Sequence, residues 1–542
     1  MGPRRCCFGA IGGHKYHVPI MMGRSTFFMA AMVVAICATS ARADTAPPRF
    51  DNVSASLPVE HIYAGGWEHF VGGGVAVFDC NDDAMPDFYV AGGTNPARLF
   101  VNQTEPSGTL RFELGNGAPT FSDVTGAYPI NVDGDEHEDL IVLRVGQNIA
   151  LRGLGDCRFE NANELWGFDG GDAWSTSFSA TWEKGQTWPT LFVGNYVDRN
   201  DPEGPFEACD TNELHRPNGT RFERPIRIEP GFCALSALIA DELRTGRKEL
   251  RISNDRHYYV RGGAEQKLRL DNLEFLGPDD GWPTVSLWGM GIAAQDITGD
   301  GRAEVMSTSM GDQLLQIATE DGFENAPYSI GTYAQKPFSG DDGRPSTGWH
   351  AQFGDVNNDG LADLFIAKGN VDQMPSNAIK DPNNLLQQQA DGTFVETAIS
   401  AGIATTDRSR GAALADFNRD GLLDLIVVNR RAPLELYQNA TTNTGNWLTI
   451  SLSGNDDNVD AIGAFIEVRT NRGVMTREVT IGGGHAGGQL LEQHFGLGGS
   501  TQAEVRFIAP DGASISDWEQ APANTHCQFS FQSQQLACQP VM

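Results

Sequence analysis

The chain has 542 residues, 40% of them hydrophobic and 20% charged, with 63 glycines and a formal net charge of −31. That balance excludes a disordered chain and argues against a nucleic-acid partner, whose phosphates would be repelled. The glycines suit an all-β protein with many tight turns, and the acidity favours cation binding or solubility outside the cell.

Residues 1–43 read as an export signal behind an N-terminal extension. Arg24 precedes an apolar run from Phe27 to Ala38, and Ala41-Arg42-Ala43 forms a cleavage pattern ahead of Asp44. The run is too short to cross a bilayer, and no other stretch is long enough. The expectation is a secreted, periplasmic or cell-envelope protein without an integral membrane segment. Cleavage would leave six cysteines, an even number that suggests disulfides in an exported chain. Proximity favours Cys209 with Cys233 and Cys527 with Cys538, leaving Cys80 with Cys157. Other pairings, or six buried thiols, stay open.

From there the chain repeats itself. "FDCNDDAMPDFYVAG" places Asp79, Asn81, Asp83 and Asp87 at fixed spacing, with Ala84 at its sixth position. "INVDGDEHEDLIVLR" places Asn131, Asp133, Asp135 and Asp139, with Glu136 sixth. Two weaker copies follow at 182 and 241. The second keeps Asp241, Gly246 and Glu249, but the first has Trp182, Lys184, Gln186 and Thr190 at the ligand positions. Three strong copies close the series: Asp296, Thr298, Asp300, Gly301 and Glu304; Asp355, Asn357, Asp359, Gly360 and Asp363; Asp416, Asn418, Asp420, Gly421 and Asp424. The copies start 51 to 61 residues apart, and each period has room for about four short strands. Such periods mean propeller blades, so residues 44–440 are expected to form a seven-bladed β-propeller. A closed ring leaves only short outer edges, and the N-terminal "PRFDNVSAS" strand is expected to complete the last blade.

Calcium takes six to eight oxygens, and loops with acids at positions 1, 3, 5 and 9 and a carbonyl at position 7 can supply them. The carbonyls would come from Met85, His137, Arg302, Leu361 and Leu422. About five calcium sites are expected on this pattern. An EF-hand is disfavoured, because its twelfth-position glutamate is replaced by Val427, Ile366 and Ser307 and the flanks are strand-like. The plain alternative is a set of Asx-turns closing hairpins.

Outside the repeats, "SNDRHYYV" gathers Asp255, Arg256, His257 and Tyr258, with Asp255 and His257 on one strand face. That pairing could do acid–base work, although a packing role fits as well. Trp349-His350 and His494 read as structural, and His485, among glycines, as exposed. Sequons lie at Asn52, Asn102, Asn218 and Asn439. The stretch 200–235 is an insert without assignment. Residues 441–542 form the last domain, in which 445–515 alternate polar and apolar positions between Gly, Asn and Asp turns. They read as a small β-sandwich or barrel whose tail is a hairpin stapled by cysteines.

The repeated loops resemble the FG-GAP/VCBS repeats of integrin-type β-propellers, over roughly residues 50–440. The resemblance implies loops that bind calcium. The segment beyond resembles the ASPIC/UnbV domain through Asn446-Trp447-Leu448, Asp460-Ala461-Ile462-Gly463-Ala464, Arg477-Glu478-Val479, the Gly482–Gly484 run and His494-Phe495-Gly496-Leu497-Gly498. The combination resembles the cartilage acidic protein family and its bacterial relatives, departing from it at the copies at 182 and 241. The family implies extracellular recognition or adhesion of a protein or glycan, without catalysis and with structural calcium. The alternative is a polysaccharide-active lyase or hydrolase, or a lectin, with its site in the central channel.

Overall fold

The computed structural model describes residues 47–540 other than 256–260, 334–343 and 456. The export segment and the Arg256–His257–Tyr258 part of the acid–base cluster lie outside the described residues.

Between residues 50 and 439 the described chain forms seven sheets, six of four strands and one of three. Their first strands are Val75–Phe78, Val124–Ile130, Ser175–Thr181, Ala234–Ala240, Gly289–Gln295, Gly348–Gly354 and Ser409–Ala415. Each touches the first strand of the next sheet, and the seventh touches the first. The sheets therefore close a ring. Val124–Ile130 and Ser175–Thr181 are buried at every position, because each strand face lies against a neighbour. That is why these segments carry continuous small and apolar runs.

Ring closure uses the N-terminus. Phe50–Asn52 pairs with Glu435–Asn439 as the outer strand of the seventh sheet, so the two ends of the ring are held by one ladder. The stretch 200–235 supplies Asn212–His215 and Ile226–Ile228, the outer strands of the third sheet. The disulfide Cys209–Cys233 brackets them, and Cys80–Cys157 links the loops of the first two sheets.

The C-terminal residues form two four-stranded sheets. One holds Asn446–Ser453, Gln493–Gly498, Thr525–Ser530 and Gln535–Pro540. The other holds Phe465–Thr470, Gly473–Glu478, Gln502–Ile508 and Glu519–Pro522. They face each other through the stacked rings of Phe507 and Phe529, 4.0 Å apart, with Ile450, Ile466 and Val505 between them. The tail is the expected hairpin, joined by Cys527–Cys538. One apolar cluster runs without a break from Tyr128, Ile130 and Phe178 of the ring into Leu448 and Phe495 of this sandwich.

The sandwich also fills the ring's centre. Residues 481–490, "IGGGHAGGQL", pair with the first strands of five sheets at Val77, Ala127, Ala180, Leu238 and Ile292. A sixth sheet is reached through the paired amides of Gln352 and Gln489. Only glycine allows this approach. A Cβ on Gly74 or Gly126 would fall under 2 Å from the Ala486 carbonyl oxygen, at 1.7 Å and 1.8 Å respectively. The exposed position expected for His485 is corrected: it is fully buried at the axis of the ring. Its Nε2 accepts from the Gly72 amide and its Nδ1 donates to the Met290 carbonyl. Burial pushes its pKa down to about 3, so the ring is neutral and this tautomer is fixed by its two partners.

Candidate metal loops

All seven repeat copies occupy the same place, the turn between the first and second strand of a sheet. In the five acid-rich copies the fifth-position carboxylate accepts the seventh residue's amide. The pairs are Asp83–Met85, Asp135–His137, Asp300–Arg302, Asp359–Leu361 and Asp420–Leu422, each at 2.8–2.9 Å. The ninth-position acid is a strut. Asp424 accepts from the Phe417 and Asn439 amides, and Asp363 from those of Val356 and Gln388. Asp87 and Asp139 do the same in their own sheets, and Glu304 accepts from Ile297. These bonds tie each loop to its sheet and supply the Asx-turn geometry as well.

The loops differ in how they handle their charge. In the loop at 416, Asp416 accepts from the Asp420 and Gly421 amides, and Gly421 takes a φ of +86°. The loop at 355 repeats this, with Asp355 accepting from Asp359 and Gly360, and Gly360 at +84°. Among the described residues no lysine or arginine is ion-paired to Asp355, Asp363, Asp416, Asp420 or Asp424. Burial and then a neighbouring carboxylate push Asp355 and Asp416 up to about 8. Asp363 and Asp424 are likewise raised well above the ordinary carboxylate range, by burial first and then by neighbouring carboxylates.

The loop at 131 is built differently. Glu136 does not take the positive φ of the glycines, and Gly134 does so instead, at +71°. Arg152, from the next strand, donates to Asp133 at 2.6 Å and to Asp135 at 2.7 Å. A guanidinium thus sits between the two carboxylates that a cation would bridge. The copy at 241 is similar in kind. Glu242 is gripped by Arg251 and Lys267, all three being nearly inaccessible to solvent, and Lys267 also pairs with Glu249 at 2.9 Å. Burial works against the Glu242 charge, yet the two cations pull its pKa down to about 2. In the copy at 182, Glu183 pairs with Arg216 and accepts from Thr190. The loop at 79 keeps Asp79 accepting from Ala84, which carries a φ of +66° where glycine would be relaxed. In the loop at 296, Asp296 accepts from Gly299 and Gly301, and Arg302 also reaches the fifth-position carboxylate, Asp300, at 3.0 Å.

Among the described residues, one set of three His, Cys, Asp or Glu donors has its ligand atoms all within 4.8 Å of one another: Cys80, Asp87 and Cys157. Its cysteines are joined as a disulfide and offer no thiolate. The three acids of a loop are spread more widely than that. Oxygens on opposite sides of a calcium ion stand about 5 Å apart, and an asparagine oxygen and a main-chain carbonyl would complete such a shell. The loops at 355 and 416 thus present hard oxygen donors, the kind that calcium takes.

The sandwich docks on this loop face. Gly445 and Gly498 donate to the carbonyls of Asn357 and Asn358, and Arg472 reaches the Asp359 carbonyl. His494 contacts the Gly421 carbonyl through Nε2 at 3.1 Å, in the structural role expected of it. Between loops and sandwich lies a chamber of about 590 Å³ with Asp79, Asp296, Asp416, Glu478 and Glu492 in its wall. Trp349 is also structural, its indole donating to the Gly369 carbonyl. Of the sequons, Asn102 and Asn439 are buried and bonded to backbone carbonyls, which leaves them no room for a glycan. The occupied channel was missed by sequence reasoning. Its signal was the glycine run at 482–484 with Gly487 and Gly488, which marks close backbone approach.

The comparisons agree with this architecture. An FG-GAP-like repeat is matched at residues 355–427 and the ASPIC and UnbV domain at 454–536. Cartilage acidic protein 1 of Mus musculus is 32% identical over 154 residues, which is 28% of this chain and 22% of that protein. The chain thus spans less than a quarter of the length of the curated relatives it matches. Among solved structures, BBS1N in complex with ARL6DN is similar at 12% identity and a TM-score of 0.43, covering 74% of this chain and 99% of that one. The Dos1 propeller is similar at 9% identity and a TM-score of 0.36, covering 74% and 96%. The chain is an all-β, propeller-type protein that carries an FG-GAP-like repeat and a C-terminal ASPIC and UnbV domain. Its three disulfides fit an oxidising, extracytoplasmic setting. No helix among the described residues is long and apolar enough to cross a membrane.

Proposed function

We propose that this protein is a secreted, non-enzymatic recognition module in which calcium is structural, with a protein or glycan as its extracellular partner. The observation that carries the calcium reading is the division of labour among the loops. Where the acid set is degraded or altered, at 131 and 241, the chain supplies its own cation through Arg152 or through Arg251 and Lys267. Where the set is complete, at 355 and 416, buried acids crowd together and, among the described residues, no lysine or arginine forms an ion pair with their first- or ninth-position acids, Arg477 and Arg419 acting on Asp355 and Asp416 only from a distance. A divalent ion would neutralise that charge, much as the arginine does at 131. We therefore assign calcium first to the loops at 355 and 416, then to those at 79 and 296, and assign the loop at 131 to Arg152. The cation would rigidify the face on which the sandwich docks, so its role is to hold the two parts together. The channel site of an enzyme or lectin finds no support, because residues 481–490 fill that space.

Calorimetric titration of calcium into the chelated protein tests this reading. We expect saturable binding, and the loss of one site in the Asp416→Ala/Asp420→Ala double variant. Absence of any calcium heat from the intact fold would refute the assignment.

A further inference from the structure

The end of the ring opposite the loops holds a second site. A cavity of about 460 Å³ opens where the first strands begin, walled by Trp67, Phe70, Trp174, Tyr196, Met310 and Trp349. Trp174 meets Trp67 edge-on at 5.1 Å and Tyr196 edge-on at 4.8 Å, so two rings at the edge of the third sheet and one from the turn at Trp67–His69 form one continuous aromatic corner. Trp174 and Tyr196 are buried, while Trp67 is 37% exposed and forms the outer lip.

Two acids line this space, Asp255 and Asp372. Asp255 is 4% exposed and lines the cavity. Its Oδ2 accepts from the Tyr196 hydroxyl at 2.6 Å, and its Oδ1 has no hydrogen-bond partner among the described residues. No lysine or arginine pairs with it among the described residues. The other acid of the wall, Asp372, is already engaged by Arg430 at 2.6 Å and Arg431 at 2.9 Å. Arg410, which lies 4.0 Å from the Trp349 ring, spends its guanidinium on backbone carbonyls of Phe70, Arg408, Ser409, Asn370 and Val371. The cavity therefore offers a buried carboxylate oxygen that lacks a donor among the described residues, and several electron-rich faces. A buried acceptor without a donor is costly, and aromatic faces attract cations. A sugar would bring many hydroxyls to a wall that is mostly apolar, so the chemistry selects against it.

We propose that this cavity binds a small organic ammonium ion, whose N–H donates to Asp255 Oδ1 and whose apolar body lies against Trp67, Trp174 and Trp349. The site does not depend on the cation loops, which lie at the other end of the same strands.

The test uses the whole secreted chain, with benzylamine and its neutral counterpart benzyl alcohol as probes, followed by tryptophan fluorescence and calorimetry. Benzylamine is expected to bind saturably and at least tenfold tighter than benzyl alcohol. Asp255→Asn should weaken benzylamine at least tenfold and leave benzyl alcohol unchanged. Trp67→Ala, at the exposed lip, should weaken both several-fold without altering the melting curve. Should Asp255→Asn fail to fold, the amine-to-alcohol ratio in the unmodified protein and the Trp67→Ala result still decide. Equal affinity for amine and alcohol, no saturable amine binding, or an Asp255→Asn variant that holds benzylamine as before would each overturn the proposal.

Discussion

The loops at 131 and 416 share a spacing and a place in the fold but solve the same electrostatic problem differently. Both crowd acids into a tight turn. At 416 the acids are left to face one another and are pushed towards protonation. At 131 a guanidinium reaches in from the next strand and bridges two of them. The contrast teaches that this turn wants positive charge near its third and fifth positions, and that the source of the charge can be internal or external.

The largest expected effect comes from removing an internal cation from the most buried cluster. Arg251→Ala leaves Glu242 with only Lys267, and it should cost about 3–5 kcal/mol, the usual penalty for breaking a buried pair. Urea unfolding measures it. Arg419→Ala beside the loop at 416 is the control. Arg419 pairs with Glu492, both side chains being partly buried, and its loss should cost about 1–2 kcal/mol. Equal costs would break the distinction between internally and externally neutralised loops.

Acid should find the same cluster next. The Glu242 carboxyl is held at about 2, below its ordinary value of 4.5. Its contribution is present above pH 4.5 and is lost as pH falls from there towards 2. The amount is on the order of 3 kcal/mol. A Glu242→Gln variant should lack that part of the acid dependence, as read from stability against pH over this window.

Chelation addresses the other class of loop. Each loop holding its ion at 100 times the dissociation constant gains about 2.7 kcal/mol, so a chelator should lower the melting temperature of the intact protein. Asp416→Ala/Asp420→Ala should respond less. An unchanged melting curve in chelator would refute external neutralisation at 355 and 416.

The smallest effect is the most discriminating. Arg152→Ala should cost about 1–2 kcal/mol, because the guanidinium is only partly buried. It should also make the loop at 131 sensitive to calcium, so that calcium restores part of the lost stability. If calcium restores nothing while the other loops bind it, the loop at 131 lacks a cation geometry of its own.

Much of this was legible because it is local. The alternation of acids at 416, 418, 420 and 424 lies within one turn, and a single hairpin expresses it. The same holds for Gly360 and Gly421, whose positive φ the turn requires, and for the three cysteine pairs, two of which are close in sequence. The weak copies at 182 and 241 also took their expected places, because the strands around them carried the pattern after their ligands were gone. The neutralising partners were not legible. Arg152 follows Asp133 by 19 residues, and it reads as an ordinary strand residue until the meander brings it alongside.

The sequence by itself determined the repeating unit and the spacing of its copies, since both rest on patterns within a segment, whereas the pairing of Phe50–Asn52 with Glu435–Asn439 joins the two ends of the ring. Tertiary structure alone decided that residues 481–490 occupy the axis, that Arg152 replaces an ion, and that Trp67, Trp174, Tyr196 and Asp255 meet around one cavity. Those arrangements join residues from different strands or different sheets. Contacts of that kind depend on how the sheets are packed, and no periodicity along the chain records it.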